Sequence, residues 1–90
     1  MDKKLRARVI ERDTRCRVCG LGMFYPVVHH RQLRSQGGAD SMENLIALHA
    51  KCHHDVHMNP EWSYEHGWLV HSWDDPGEIQ IGTQRKETPW

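Results

Sequence analysis

Residues 29–57 read HHRQLRSQGGADSMENLIALHAKCHHDVH, and the histidine spacing in this stretch decides the fold. His53 and His57 stand four apart, so on a helix both imidazoles share one face about one turn apart. His29 and His30 close the run FYPVVHHR over 24–31, whose aromatic and β-branched content predicts a strand, with Pro26 marking an edge or irregular start. Gln36–Asp40 reads as a loop broken by Gly37-Gly38. Asn44–His49 is then most simply the second strand of a hairpin, a helical turn being the alternative. From Ala50 to Met58 the pattern is a short helix, stopped by Asn59-Pro60.

Working outward, two pairs at x-x spacing frame the hairpin: Cys16-Arg-Val-Cys19, with Gly20 for the tight turn, and His49-x-x-Cys52. Zinc takes four such ligands in a tetrahedron, so Cys16, Cys19, His49 and Cys52 are the expected structural set, with His53 or His54 as rivals for the fourth place. The bland alternative makes His49 an ordinary histidine and Cys52 a small buried hydrophobe. Upstream, residues 3–12 (KKLRARVIER) read as a helix capped by Asp2, with Leu5, Ala7, Val9 and Ile10 as its apolar stripe. Downstream, Glu61–His66 predicts a helical turn closed by Gly67, Trp68–Trp73 a strand, Asp74–Gly77 a turn and Glu78–Ile81 a final strand, followed by eight residues of frayed tail. Trp62, Trp68 and Trp73, with Tyr64, are expected to complete a thin core rather than stack on bases.

Composition supports a metal-stapled domain. Ninety residues, 38% of them apolar and one of them Phe, make core burial alone marginal. The three Cys are odd in number and two share a C-x-x-C, which argues for metal and a reducing cytoplasm rather than disulfides. No apolar run approaches the roughly 20 residues of a membrane span, and no signal-peptide h-region is evident. Net charge is zero but segregated: residues 1–36 carry nine Lys/Arg against three Asp/Glu, and residues 37–90 carry three against nine. Such a chain could turn one basic face to a phosphate backbone, or simply present a solvated basic helix.

The histidines outside the zinc set suggest a second metal. Adjacent strand residues face opposite sides, so His29 and His30 cannot share a role. One can ligate beside His53 and His57 while the other stays neutral and accepts a proton, the division that phosphodiester hydrolysis requires.

The run His29-His30-Arg31, Gly37-Gly38, Asn44-Leu45, Cys52-His53 and His57 resembles the HNH endonucleases of the His-Me finger (ββα-metal) group, over about residues 12–60, and most closely their small phage and bacterial members. The resemblance implies a zinc-stapled, treble-clef-like ββα-metal core over 16–59; with the basic helix read over 1–15 and an irregular extension over 60–90 packing on the core, a small α+β fold is expected. It implies His29, His53 and His57 as ligands of one catalytic divalent cation, His30 as general base, and Asn44 holding the hairpin loop and orienting that base. Arg31 and Arg34 would lie near the site and grip phosphate. Many relatives have Asp where His29 stands. An imidazole-only set favours Zn, Ni, Mn or Co relative to Mg. The second zinc pair of the family is usually Cys-x-x-Cys, and Cys₃His is an ordinary substitute. The expected activity is hydrolysis of double-stranded DNA in a bacterial host cytoplasm by a monomer or weak dimer, with a phage terminase or other packaging protein as a candidate partner. The contrasting expectations are a zinc-binding interaction module with an inactive site, and a purely structural zinc domain.

Overall fold

The computed structural model describes residues 2–82. Helix α1 spans Lys3–Asp13, and the Asp2 carboxylate accepts a hydrogen bond from the Lys4 amide at 3.1 Å, as an N-cap should. Strands β1 (Val27–His30) and β2 (Leu45–Leu48) pair antiparallel, with Val28 opposite Ala47, His29 opposite Ile46 and His30 opposite Leu45. Helix α2 (Ala50–Met58) follows β2 directly, and α3 (Pro60–Glu65) starts with Pro at a position where its missing N–H costs nothing. The result is a small α+β fold around a two-stranded sheet.

Pleating sorts the strand residues onto two faces. Leu45 and Ala47 pack with Val9 of α1, while Ile46 and Leu48 pack with Cys52 and Val56 of α2, Trp68 and Leu69. Because β2 is covered on both sides, all four of its residues are buried, which is why it reads as a continuous apolar run rather than an alternating one. The register puts His29 on the α2 face and His30 on the α1 face.

Asp13 locks α1 to the sheet. Its buried carboxylate accepts from Arg12 Nε at 2.7 Å, Arg17 Nη1 at 2.7 Å and the Ala47 amide at 2.9 Å. Burial alone would raise its pKa, but the hydrogen bonds from Arg12, Ala47 and Arg17 outweigh that and hold it below the usual value.

Three expected elements differ. The strand begins at Val27 rather than residue 24, leaving Phe24 and Tyr25 in water, because no third strand covers them among the described residues. Trp68–Trp73 forms no strand; its backbone pairing beside the hairpin is the Val70 amide donating to the carbonyl of Arg31, just after β1, at 2.9 Å. Glu78–Ile81 is likewise not a strand, and a 3-10 turn covers Pro76–Glu78. The Trp residues divide: Trp68 is fully buried, Trp62 packs against the core from its edge, and Trp73 is 77% exposed. The frayed tail expected over the last eight residues lies outside the described residues. Among the described residues no helix is long and apolar enough to cross a membrane.

Candidate metal and catalytic site

Two groups of ligand-type side chains draw on α2, one through Cys52 and the other through His53 and His57. The first joins Cys16 and Cys19 of the knuckle to His49 and Cys52, with one potential ligand atom from each lying within 4.8 Å of the others. His49, not His53 or His54, is the fourth member. Its Nε2 lies 2.9 Å from the Gly22 carbonyl, which can only accept, so that nitrogen carries the hydrogen and Nδ1 keeps its lone pair. Nδ1 stands 3.3 Å from Cys19 Sγ and 3.9 Å from Cys52 Sγ. Zinc bond lengths in a tetrahedron imply an N···S separation of about 3.6 Å, so these distances bracket the requirement.

Thiol chemistry points the same way. Burial tends to raise the Cys16 pKa, but amide hydrogen bonds from Cys19, His49 and Val18 bring it down to about 7. Burial and the neighbouring Cys16 charge push Cys52 well up, and burial raises Cys19. One thiolate is tolerated without a cation, and three are not. The cluster has the composition and spacing of a zinc site.

The second group is His29, His53 and His57, again within 4.8 Å by one nitrogen each. Their ring centroids are 5.1, 5.3 and 4.7 Å apart, edge to face. His53 Nε2 and His57 Nε2 are 3.2 Å apart, so either one donates to the other or both lone pairs converge on a cation. Metal–nitrogen bonds of about 2.1 Å place two ligands roughly 3.0–3.4 Å apart, so the pair fits. His29 Nε2 donates to the Trp68 carbonyl at 2.7 Å, which leaves Nδ1 as its lone-pair nitrogen. Burial pushes His29 down to about 3; the Trp68 bond opposes this, and charge on His53, His57 or His30 would add to it. Burial, then the His57 charge, also lowers His53. Three imidazoles facing one another suit a cation far better than they suit protons.

His30 sits one pleat step away. Its Nε2 is 2.6 Å from Asp40 Oδ1, and Arg34 Nη2 bonds both Asp40 oxygens at 3.2 and 3.1 Å. Arg34 Nε also lies 3.4 Å from His30 Nε2, a contact that needs a lone pair there. The shorter contact decides: the ionised carboxylate offers no hydrogen, so Nε2 carries one and Nδ1 is left as acceptor. Hydrogen bonding to His30 is the largest cause that holds the Asp40 carboxyl below its usual range.

Asn44 is buried, and its three side-chain hydrogen bonds go to the Gln32 amide, the Gln32 carbonyl and the Ala39 carbonyl. It therefore braces the loop carrying Asp40 and touches His30 only through that loop. Gly38 lies so close to the backbone after β1 that a Cβ there would meet the Gln32 carbonyl oxygen at 1.7 Å, which accounts for the glycine.

Arg31 corrects an expectation. It is 1% exposed, and its guanidinium donates to the carbonyls of Gly67, Glu43, Pro76 and Ile79. Four of five N–H groups are thereby occupied, and burial, with the Arg17 and Arg12 charges, lowers its pKa to about 10. It fastens the C-terminal extension and is not available to a phosphate. Arg34 is exposed beside His30. Asp40 and the Trp68 carbonyl escaped the sequence reading: Asp40 lies in a loop without periodicity, and a backbone carbonyl leaves no residue-type signal.

The HNH endonuclease family model matches residues 16–59, from the first cysteine of the knuckle to the end of α2. This segment belongs to the HNH endonuclease family. No curated protein and no solved structure matches the chain. An open, mostly apolar groove of about 790 Å³ lies beside Cys19, His49 and Trp62 rather than at the histidines. The histidine cluster instead grades from buried His29 to exposed His57.

Proposed function

We propose that the chain is a DNA endonuclease that hydrolyses phosphodiester bonds with one divalent cation, built as one unit from the HNH domain and its flanking helix and extension. His29 through Nδ1, with His53 and His57, would hold the cation, and Cys16, Cys19, His49 and Cys52 would hold structural zinc. When bound, the cation supplies charge stabilisation at the scissile phosphate and leaving oxygen. His30 takes a proton from the attacking water at Nδ1, while Asp40 holds the opposite nitrogen and so selects the tautomer. Asn44 positions the loop that carries Asp40. Arg34 offsets the Asp40 charge and keeps a guanidinium near the phosphate.

The observation that carries this reading is the convergence of His29, His53 and His57 one residue away from an independently oriented His30. A zinc-binding module has no use for that second arrangement. A DNA substrate suits the exposed edge of the histidine cluster at His57 and the basic N-terminal half. The test is incubation of zinc-loaded protein with supercoiled plasmid across Mg, Mn, Co, Ni and Zn. Cation-dependent conversion to open circles is expected. Tight zinc and DNA binding without conversion in any cation would favour an inactive interaction module.

A further inference from the structure

Two exposed features take no part in that chemistry: the outer face of α1 and the loop before β1. Phe24 and Tyr25 are 96% and 91% exposed, side by side, while Met23 and Val28 make the apolar contacts on either side of them. Arg6 ties this loop to α1 by donating from Nη2 to the Pro26 carbonyl at 3.1 Å. Lys3, Lys4, Arg6 and Arg8 are all exposed, and no acid stands in the first turn of α1. Lys4 and Arg8 lie one turn apart on the outer face. Asp2 caps α1 and Glu11 lies on it, but five of the described acidic residues, Glu61, Glu65, Asp74, Asp75 and Glu78, lie in the C-terminal extension.

We propose that α1 and the Phe24–Tyr25 loop form a duplex-anchoring surface, distinct from the scissile site, in which the α1 cations neutralise phosphates and the two rings press into the adjacent groove. The sign of the charges matches a phosphate backbone, and an apolar wedge beside cations matches how architectural proteins hold a groove. An anionic membrane fits less well. The apolar stripe of α1 is spent on the sheet through Val9, Leu5 and Ile10, so the helix has no free apolar face to lie in lipid. Position also favours DNA, since α1 packs on the face of the hairpin to which His30 points. A duplex gripped there can run past the proposed base. This inference rests on the proposed action on DNA.

The experiment is anisotropy titration of a labelled 20-base-pair duplex between 50 and 200 mM salt, without added catalytic cation. A Lys3→Gln/Lys4→Gln/Arg8→Gln variant should flatten the dependence of log K on log salt by about 0.9 for each phosphate that is no longer neutralised. A Phe24→Ala/Tyr25→Ala variant should weaken binding about tenfold at every salt and leave that slope unchanged. Both variants alter exposed side chains, and circular dichroism checks their folding. Wild-type affinity and slope in both variants would overturn the proposal. So would anionic phosphatidylserine vesicles that bind the protein and displace the duplex. A wild-type protein that binds in this way yet never nicks contradicts the nuclease reading alone. Active nicking with unaltered binding by both variants contradicts the anchor alone.

Discussion

His29 donates its Nε2 hydrogen to the carbonyl oxygen of Trp68 at 2.7 Å, and that bond makes the C-terminal extension part of the histidine site. The matched family segment ends at residue 59, yet the group that sets the His29 tautomer comes from residue 68. Trp68→Ala should cost about 3–5 kcal/mol through the cavity it leaves. Affinity for the added divalent cation should fall about 10- to 100-fold, while the zinc content of folded protein stays at one equivalent. Urea unfolding, calorimetric cation titration and elemental analysis check the three outcomes.

Zinc is expected to hold the knuckle and the start of α2 together. Cys16→Ser should lose the zinc and unfold, because structural zinc contributes on the order of 10 kcal/mol against a total stability of similar size. A cooperatively folding, metal-free Cys16→Ser protein would show that zinc does not staple the domain.

Arg31 and Arg34 should separate cleanly. Arg31→Met leaves the carbonyls of Gly67, Glu43, Pro76 and Ile79 without their donor and should lower stability by at least about 3 kcal/mol. Arg34→Gln, at an exposed side chain, should change stability by less than about 0.5 kcal/mol but slow nicking. Paired urea midpoints and plasmid assays distinguish the two.

Acid should destabilise the fold through His29. Its folded pKa is about 3 against 6.5 for the unconstrained ring, so the unfolded state takes up the proton first as pH falls. The stability it contributes is fully present above about 6.5 and declines by about 1.4 kcal/mol per pH unit until the folded value is reached. Asp13 acts in the same direction at lower pH, since its depressed pKa gives stability that is lost as pH falls through the folded value. Between about pH 6.5 and 5, His29→Gln should show a shallower loss of stability by about one proton. Equal slopes in urea unfolding of zinc-loaded wild type and variant would contradict this.

Much of the site could be read from the chain because its chemistry is local. The four-residue step from His53 to His57 survives as a 3.2 Å approach, and the two x-x pairs meet as their spacing implies. The hairpin, α1 with its Asp2 cap, and the stop at Asn59-Pro60 follow from periodicity and punctuation. What could not be read depended on distant chain. Trp68–Trp73 alternates like a strand, but a strand needs a partner edge, and only Val70 finds one. Arg31 beside two histidines looks like a phosphate ligand until residues 67–79 wrap around it. Phe24 and Tyr25 have strand-type side chains with nothing to pack against.

If His30 is the base and Asp40 fixes its tautomer, Asp40→Asn should fold normally. It should nick about tenfold more slowly or worse, because the tautomer is no longer imposed.

Single-turnover nicking of supercoiled plasmid by wild type and His30→Ala, at one saturating cation, tests the base itself. Both proteins should be folded and carry equal zinc. A base at His30 predicts a loss of about 100-fold or more with DNA affinity nearly unchanged. Nicking at the wild-type rate by folded His30→Ala would contradict it.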